Sequence, residues 1–327
     1  MNGPTNGAVV GSAEAQRCVV TGASGFVGQA LVAALRARGR DVIPLARGED
    51  VGRGFRAAPA LGDSACWTPF LEGAGQVVHL AARVHVMKDE EIDPLAAFRA
   101  VNVTGTLELA RQAAEAKVRR FVFVSTVKVH GENSPAGRPL RETDALAPVD
   151  PYARSKAEAE EGLRNLCARS GMELVVIRPP LVYGAGVKAN FRSIVRWVAS
   201  GMPLPLGGCN ANRRSLVALD NLVDLIITCL DHPGAAGGCF FAADGEDLST
   251  AALVRRLARA MGRPARLWPV PLWMLRLAAA GTGHHDVLQR LCGSLQVDIS
   301  SARETLGWTP PVGVDEGLRR AVAGEGR

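Results

Sequence analysis

Residues 19–28 read VVTGASGFVG. An apolar run, Cys18-Val19-Val20, leads straight into Gly22, Gly25 and Gly28. Glycine at every third position after a strand meets three demands. A tight turn needs a residue that tolerates positive φ, a phosphate needs close backbone approach, and a helix packed on a strand needs a small contact. The next segment, GQALVAALRARG, has helical apolar spacing and predicts a helix over 27–38, with Gly39 placed to end it. The free N–H groups and positive dipole end of that helix would face an anion. A second apolar run, 41–45, follows at once. The stretch therefore reads as the first strand–helix–strand unit of a sheet. Its glycines form either a pyrophosphate cradle, with Ser24, Phe26 and Val27 among the contacts, or simply a tight turn.

Outward from that unit, strands are predicted at 17–20, 41–45, 76–80, 120–125 and 173–178, with helices over 27–38, 95–117 and 151–170 between them. Alternation of this kind predicts an α/β fold of the Rossmann type, a doubly wound parallel sheet covered on both faces. Ligands of such sheets sit at the carboxyl ends of the strands. After about Pro179, Pro, Gly and short apolar pieces dominate, with helices near 190–200, 219–231, 249–261 and 286–292. The expected organisation is a flexible tail over 1–15, a dinucleotide-binding domain over 16–180, and a smaller substrate-binding lobe over 181–327 interleaved with the last strands.

The chain of 327 residues is 47% hydrophobic, enough for one large domain with a smaller lobe. Its net charge of +6 comes largely from arginines scattered through helices. With 5% aromatic residues and no basic stripe, a nucleic-acid partner is not expected, whereas an anionic small-molecule substrate is. Seven cysteines, at 18, 66, 167, 209, 229, 239 and 292, form no CxxC pair and predict reduced, mostly buried thiols and a cytoplasmic location. The first sixteen residues lack the basic start and apolar core of a signal peptide. The apolar stretch 267–283 is broken by Pro269, Pro271 and Arg276, too short to insert across a bilayer. It predicts a helix of the small lobe, with a membrane-surface or subunit contact as the alternative.

Two groups of residues could carry chemistry. Tyr152 and Lys156 stand four apart in PYARSKAEAE, where Pro151 marks a helix start, so both side chains share one face. A cation beside a phenol stabilises the phenolate, giving an acid/base for alcohol–ketone interconversion. Ser125 and Thr126 in FVFVSTVKVHGE fall where a buried strand ends and could hold a substrate oxygen. A surface Tyr–Lys pair and simple strand-end capping are the plainer alternatives.

The ordered set TGASGFVG, HLAA (79–82), NVTGT (102–106), VSTVKVHG and YARSK resembles the extended short-chain dehydrogenases, a family of nucleotide-sugar epimerases, dehydratases and reductases. The resemblance spans roughly 16–325 and includes RPPLVYG (178–184) and DISSARETLGWTPP (298–311). It implies Tyr152 as acid/base, Lys156 on the nicotinamide ribose, and Thr126, five residues before Gly131, as the catalytic hydroxyl. His130 replaces the usual Tyr of that motif. Asn102 would support the active-site backbone. Leu80, Ala81, Ala82, Ser125 and Pro179 would line the cofactor, and Asp63 would meet its adenine. For the substrate it implies Lys128, Asn190, Arg214 and Arg290, and no metal. Homodimers are usual in the family.

Three departures refine the expectation. Val127 and Lys128 stand where the family's dehydratases carry Asp-Glu, so dehydration is disfavoured. The second strand ends in Ala46-Arg47 rather than an acid, and Arg would attract a 2′-phosphate, which favours NADP(H) over NAD(H). Leu181 replaces an Asn of the hexose 4-epimerases. The resulting expectation is an oxidoreductase at carbon 4 of a UDP-hexose or UDP-N-acetylhexosamine, of the kind found in bacterial surface-polysaccharide (O-antigen) pathways. A 4-keto-6-deoxy-sugar reductase is slightly preferred to a 4-epimerase. A non-catalytic, cofactor-sensing protein on the same fold is the remote alternative.

Overall fold

The computed structural model describes residues 17–84, 93–135, 137–187, 189–282 and 285–323, so the tail expected over 1–15 lies outside them. Among the described residues nine strands form: β1 (Arg17–Thr21), β2 (Val42–Ala46), β3 (Arg56–Ala57), β4 (Ala74–His79), β5 (Arg120–Val124), β6 (Glu173–Arg178), β7 (Leu181–Tyr183), β8 (Leu216–Ala218) and β9 (Cys239–Phe241). Seven of them make one parallel sheet in the order β3-β2-β1-β4-β5-β6-β9. The sheet is the Rossmann type expected, and the chain reverses direction across it at the β1–β4 junction. β7 and β8 pair separately.

The helices are α1 (Phe26–Ala37), α2 (Thr68–Leu71), α3 (Pro94–Arg99), α4 (Gly105–Glu115), α5 (Pro151–Ser170), α6 (Ala189–Ser200), α7 (Leu219–Asp231), α8 (Thr250–Ala260), α9 (Leu272–Thr282), α10 (His285–Cys292), α11 (Ser300–Leu306) and α12 (Val314–Ala323). Successive strand residues point to opposite faces, and the core divides accordingly. Cys18, Val20, Val78, Val122, Val175 and Ile177 pack with Leu31 and Leu35 of α1 and Leu222 and Ile226 of α7. Val19, Val77, Phe121, Phe123 and Val176 pack with Leu109 of α4 and Leu163 of α5. Both faces are covered, so the central strands are near-continuous apolar runs rather than alternating ones.

A third core belongs to the lobe, where Tyr183, Phe191, Leu216, Leu257 and Leu318 bring β7, β8, α6, α8 and α12 together. β9 lies in the lobe half of the chain, yet completes the large sheet beside β6. The C-terminal segment docks through buried Trp308, whose Nε1 donates to Asp224 of α7 at 3.0 Å.

Three features differ from expectation. The helix expected over 95–117 is α3 and α4 joined by a π-turn at Ala100–Thr104. The thiols are not all reduced: Cys209 and Cys292, 83 residues apart in sequence, form a disulfide with their Cα atoms 5.4 Å apart. A pairing this distant leaves no local spacing to read. Cys18, Cys167 and Cys229 are buried as expected, but Cys66 is exposed. The helix expected within the apolar stretch 267–283 forms as α9, but only from Leu272, and Trp268, Trp273 and Leu277 are left in solvent. No helix among the described residues is long and apolar enough to cross a membrane.

Candidate active site

Five neighbouring strands, β2, β1, β4, β5 and β6, end side by side, and each hands over to a residue singled out in the sequence: Arg47, Gly22, Leu80, Ser125 and Pro179. At the end of β1, Gly22 adopts φ +67°, and a Cβ there would lie 2.7 Å from Ala81 N. A Cβ on Gly28 would lie 2.2 Å from Gly22 O. Any side chain at either position would therefore push α1 off the β1 and β4 ends. Gly25 caps α1 without a side-chain hydrogen bond, and no acidic residue stands in the first helical turn. The N–H groups there face outward at the positive end of the helix, a donor set that fits a pyrophosphate. The Phe26 and Val27 side chains turn into the hydrophobic cores, so these residues offer backbone, not side chains. Ser24 is half-buried in the turn.

Arg47 is exposed, and among the described residues no hydrogen bond or ion pair engages its guanidinium. Asp63 sits exposed in the turn that follows Leu61-Gly62. That turn packs on the start of α4, where a Cβ on Gly105 would come within 2.7 Å of Leu61.

Buried Asn102, in the π-turn, ties three pieces of the row together. Its Oδ1 accepts from Arg83 N at 2.7 Å, and its Nδ2 donates to Arg83 O and to Ser155 Oγ, both at 3.0 Å. Asn102 thus fixes the backbone after Ala81-Ala82 and the first turns of α5. The widened turn is what swings this residue inward between two regular helices. Beside it, fully buried His79 bridges Thr21 Oγ1 (2.7 Å) and Thr106 Oγ1 (2.9 Å) through its two ring nitrogens. Burial, helped by the nearby Lys156 charge, pushes its pKa down to about 3, so the ring is neutral.

The β5 end is extended by Ser125 N donating to Ile177 O (2.8 Å) and Val127 N to Pro179 O (3.0 Å). Thr126 follows at the mouth of a short 3-10 turn, where its Oγ1 accepts from Lys128 N at 3.3 Å. Ser125 points the other way. Its buried hydroxyl helps hold the Glu160 carboxyl low, yet makes no hydrogen bond of good geometry.

α5 begins at Pro151, with the Asp150 carboxylate accepting from Ala153 N at 2.6 Å. Tyr152 therefore lies in the first turn, its ring edge-on to Phe98 at 6.2 Å. Lys156, one turn on and 2% exposed, donates from Nζ to Val124 O at 2.8 Å and lies over the Phe123 ring. Thr126, Tyr152 and Lys156 thus come from a strand end and the helix packed on it.

The electrostatics differ from the sequence-based expectation. Burial, with the Asp150 charge adding to it, pushes the Tyr152 phenol up to about 12. Lys156 does not pull it down, because its Nζ is turned onto the Val124 carbonyl. Burial instead lowers Lys156 to about 7, with Glu160 opposing.

Behind the triad lies a buried polar network that sequence reading missed. Arg178 clamps Glu160 through two bonds of 3.0 and 2.5 Å, and also reaches His130 Nε2 (2.7 Å) and Glu142 O (3.0 Å). Burial alone would raise Glu160, but the Arg178 hydrogen bonds and charge hold it low. Burial and the Arg178 charge lower His130, which is neutral and accepts at Nε2. So the His in place of the family's Tyr braces β6 rather than facing the cleft. The only local signal was a His and an Arg in otherwise apolar strand ends.

On the substrate side, Lys128 Nζ is shared by Asp150 (2.8 Å) and Glu132 (3.2 Å). Half-buried Arg214 is held between Leu248 and Leu295 and donates to Gly293 O at 3.1 Å. Burial lowers its pKa, and the Glu132 charge works against that. Asn190 lies in α6 and Arg290 in α10, but their side chains fall outside the described residues. A separate cavity of about 780 Å³, lined by Arg141, Arg164, Arg178, Asp298 and Glu304 among others, contains none of the triad. Of its charges, Arg141 pairs with Asp298 across the lining and Arg164 with Glu160 behind it.

The model of the NAD dependent epimerase/dehydratase family matches residues 18–240, more than half of the chain. The chain belongs to that family. A UDP-glucose 4-epimerase of Vibrio cholerae is 46% identical over 93% of this chain and 94% of its own. A UDP-glucose 4-epimerase of Mycolicibacterium smegmatis is 30% identical over 94% of this chain and 97% of its own. Among solved structures, a short-chain dehydrogenase/reductase superfamily protein from Agrobacterium tumefaciens with bound NAD superposes with a TM-score of 0.75, at 26% identity, covering 95% of this chain and 97% of that one.

Proposed function

We propose that this enzyme interconverts hydroxyl and ketone at carbon 4 of a UDP-sugar, and that it does so as a 4-epimerase. The observation that carries this reading is the arrangement of Thr126, Tyr152 and Lys156 around the β5 end, beside a glycine turn whose free N–H groups suit a dinucleotide. The 46% identical relative, named for UDP-glucose 4-epimerisation, supports the epimerase over the reductase. A nicotinamide cofactor, when bound, supplies hydride uptake and return.

The remaining work belongs to side chains of the chain. Tyr152 takes the proton of the C4 hydroxyl and gives it back to the ketone oxygen. Thr126 hydrogen-bonds the same oxygen. A phenol with so high a pKa is scarcely ionised near neutral pH, so the phenolate that accepts the C4 proton needs a positive charge close by to be populated. Lys156, one helical turn away, would supply that charge by turning its protonated Nζ from the Val124 carbonyl toward the phenol. Gly22, Gly25 and Gly28 would admit the pyrophosphate, Ala81 and Ala82 would line the cofactor, and Arg214 would meet the substrate diphosphate through its fork of N–H donors. Asn102 holds the segment after Ala81-Ala82 in register with the first turns of α5.

A second reading, a 4-keto-sugar reductase using NADPH, is favoured by Arg47 and by Leu181, which stands where the hexose 4-epimerases carry an Asn. Both are tested on the protein as purified. The protein is denatured and any released nucleotide identified, and fresh enzyme is mixed with UDP-glucose and UDP-GlcNAc without added cofactor. Bound NAD and conversion to the galacto epimer are expected. An empty site, no epimerisation, and NADPH oxidation with a UDP-4-keto-6-deoxy sugar would replace the epimerase with the reductase.

A further inference from the structure

The small lobe carries apolar side chains that no packing requirement explains. Trp197 near the end of α6, Met202 in the following turn, Trp268, and Trp273, Met274 and Leu277 of α9 are all exposed, between 46% and 66%. They lie on adjoining segments. Leu204 N donates to Arg266 O and Trp268 N to Leu204 O, both at 2.8 Å, and Gly207 packs against the Trp268 carbonyl. Within α9, Leu272 and Leu275 face the lobe core, whereas Trp273 and Leu277, four apart, share the outer face with Met274 beside them. An apolar surface of this kind marks an interaction site.

The segments that carry it, residues 189–215 and 248–284, hold ten arginines and neither a lysine nor an acidic residue. Of these Arg256 is paired with Glu246 and Asp315, whereas Arg196, Arg263, Arg266 and Arg276 are exposed on the same segments as the tryptophans. Arg263 donates to Ala199 O and Arg266 to Gly201 O, which orients both along the rim. The family match ends at residue 240, before Trp268 and α9.

We propose that this face of the lobe docks on an anionic lipid bilayer, with Trp197, Trp268, Trp273 and Leu277 entering the interface and Arg196, Arg263, Arg266 and Arg276 meeting lipid phosphates. Tryptophan rings prefer the boundary between headgroups and acyl chains. Each basic side chain near an anionic surface adds attraction that salt screens. A second copy fits less well, because a two-fold contact would set these arginines against their own counterparts with no carboxylate between them. The association is peripheral and spans nothing.

The test is flotation of the full-length protein with vesicles of phosphatidylcholine, alone or mixed with phosphatidylglycerol. Tryptophan emission gives a second readout, since three of the five tryptophans lie on this face. Binding to the mixed vesicles is expected, with a blue shift and release by salt. Trp268→Ser with Trp273→Ser and Leu277→Ser should abolish it. Arg263→Gln with Arg266→Gln and Arg276→Gln should weaken it on the order of a hundredfold. Circular dichroism should be unchanged in both, as should turnover of a soluble substrate. Absence of flotation with either vesicle, equal flotation with both, or flotation unaffected by both variant sets would overturn the proposal. So would a dimer, seen by sedimentation, that the same substitutions dissolve.

Discussion

The sheet half of the molecule and the lobe beyond Pro179 hold their site residues by different means. In the sheet half, Thr126, Tyr152 and Lys156 are fixed by a strand ladder, a capped helix and a buried polar network. In the lobe, Arg214 is held by single-residue bridges to Leu248 and Leu295, a carbonyl of Gly293 and the nearby Cys209–Cys292 disulfide. Chemistry needs atoms placed to fractions of an ångström, and repetitive structure supplies that. Recognition of one sugar among many tolerates loops, which also vary more readily.

The largest effect should come from a substitution that leaves the frame intact. Tyr152→Phe removes one hydroxyl and keeps the ring against Phe98, so cofactor binding and stability should persist. Turnover should fall about a thousandfold or more if Tyr152 is the acid/base. Activity close to wild type would remove the triad from the sheet half and break the comparison at its centre.

Next is the frame itself. Arg178→Ala would leave Glu160 buried without its main partner, and urea unfolding should show a loss of about 3–5 kcal/mol. Arg214→Ala in the lobe should instead raise KM while costing under about 1 kcal/mol of stability. Equal stability losses at both positions would erase the distinction between frame and recognition surface.

Lys156 allows a pH test of the same frame. Its pKa falls from 10.5 to about 7 on folding, so between these values the unfolded chain binds the extra proton. Stability should rise with pH across that window, with a limiting slope of about 1.4 kcal/mol per pH unit, and fall as pH drops through 7. Lys156→Met should flatten the profile between pH 7 and 9, read from thermal melts in the absence of nucleotide. In the lobe, Cys209→Ser should cost about 2–4 kcal/mol, and added reductant should destabilise the wild type but not the variant.

The same division governs what the sequence discloses. Gly22, Gly25, Gly28 and the Tyr152–Lys156 spacing are legible because they are local: a turn type, a helical repeat, a strand end. The parallel sheet covered on both faces follows from the alternation of strand and helix patterns, whereas its strand order does not. Asn102 was visible as a residue, but its clamp on Arg83 and Ser155 required the π-turn, which no spacing announces. His130 was visible as a departure, and only the fold shows it bonded to Arg178 rather than facing the cleft. Asp150 looks like an ordinary helix cap until its charge is found raising Tyr152 and holding Lys128. The Cys209–Cys292 bond joins two parts of the lobe 83 residues apart. Most of these unread features are pairings between segments distant in sequence, three in the sheet half and one within the lobe.

The smallest expected effect is on cofactor choice, and it tests an exposed residue of the sheet half. Arg47 follows β2 directly, with its guanidinium in solvent at the sheet edge of the cofactor row. A carboxylate there would accept hydrogen bonds from a ribose diol and repel a 2′-phosphate, while an Arg does the reverse. Arg47→Asp should therefore shift the ratio of NADPH to NADH affinity about tenfold or more toward NADH, an effect of about 1.4 kcal/mol, with the thermal melt unchanged. Titration of both reduced cofactors by fluorescence measures it. A shift would show that an unpaired surface charge sets cofactor preference even beside a rigid cradle. An unchanged ratio would make Arg47 an ordinary exposed charge, leave Leu181 as the remaining observation that favours the reductase, and leave the glycine turn and the triad to define the site.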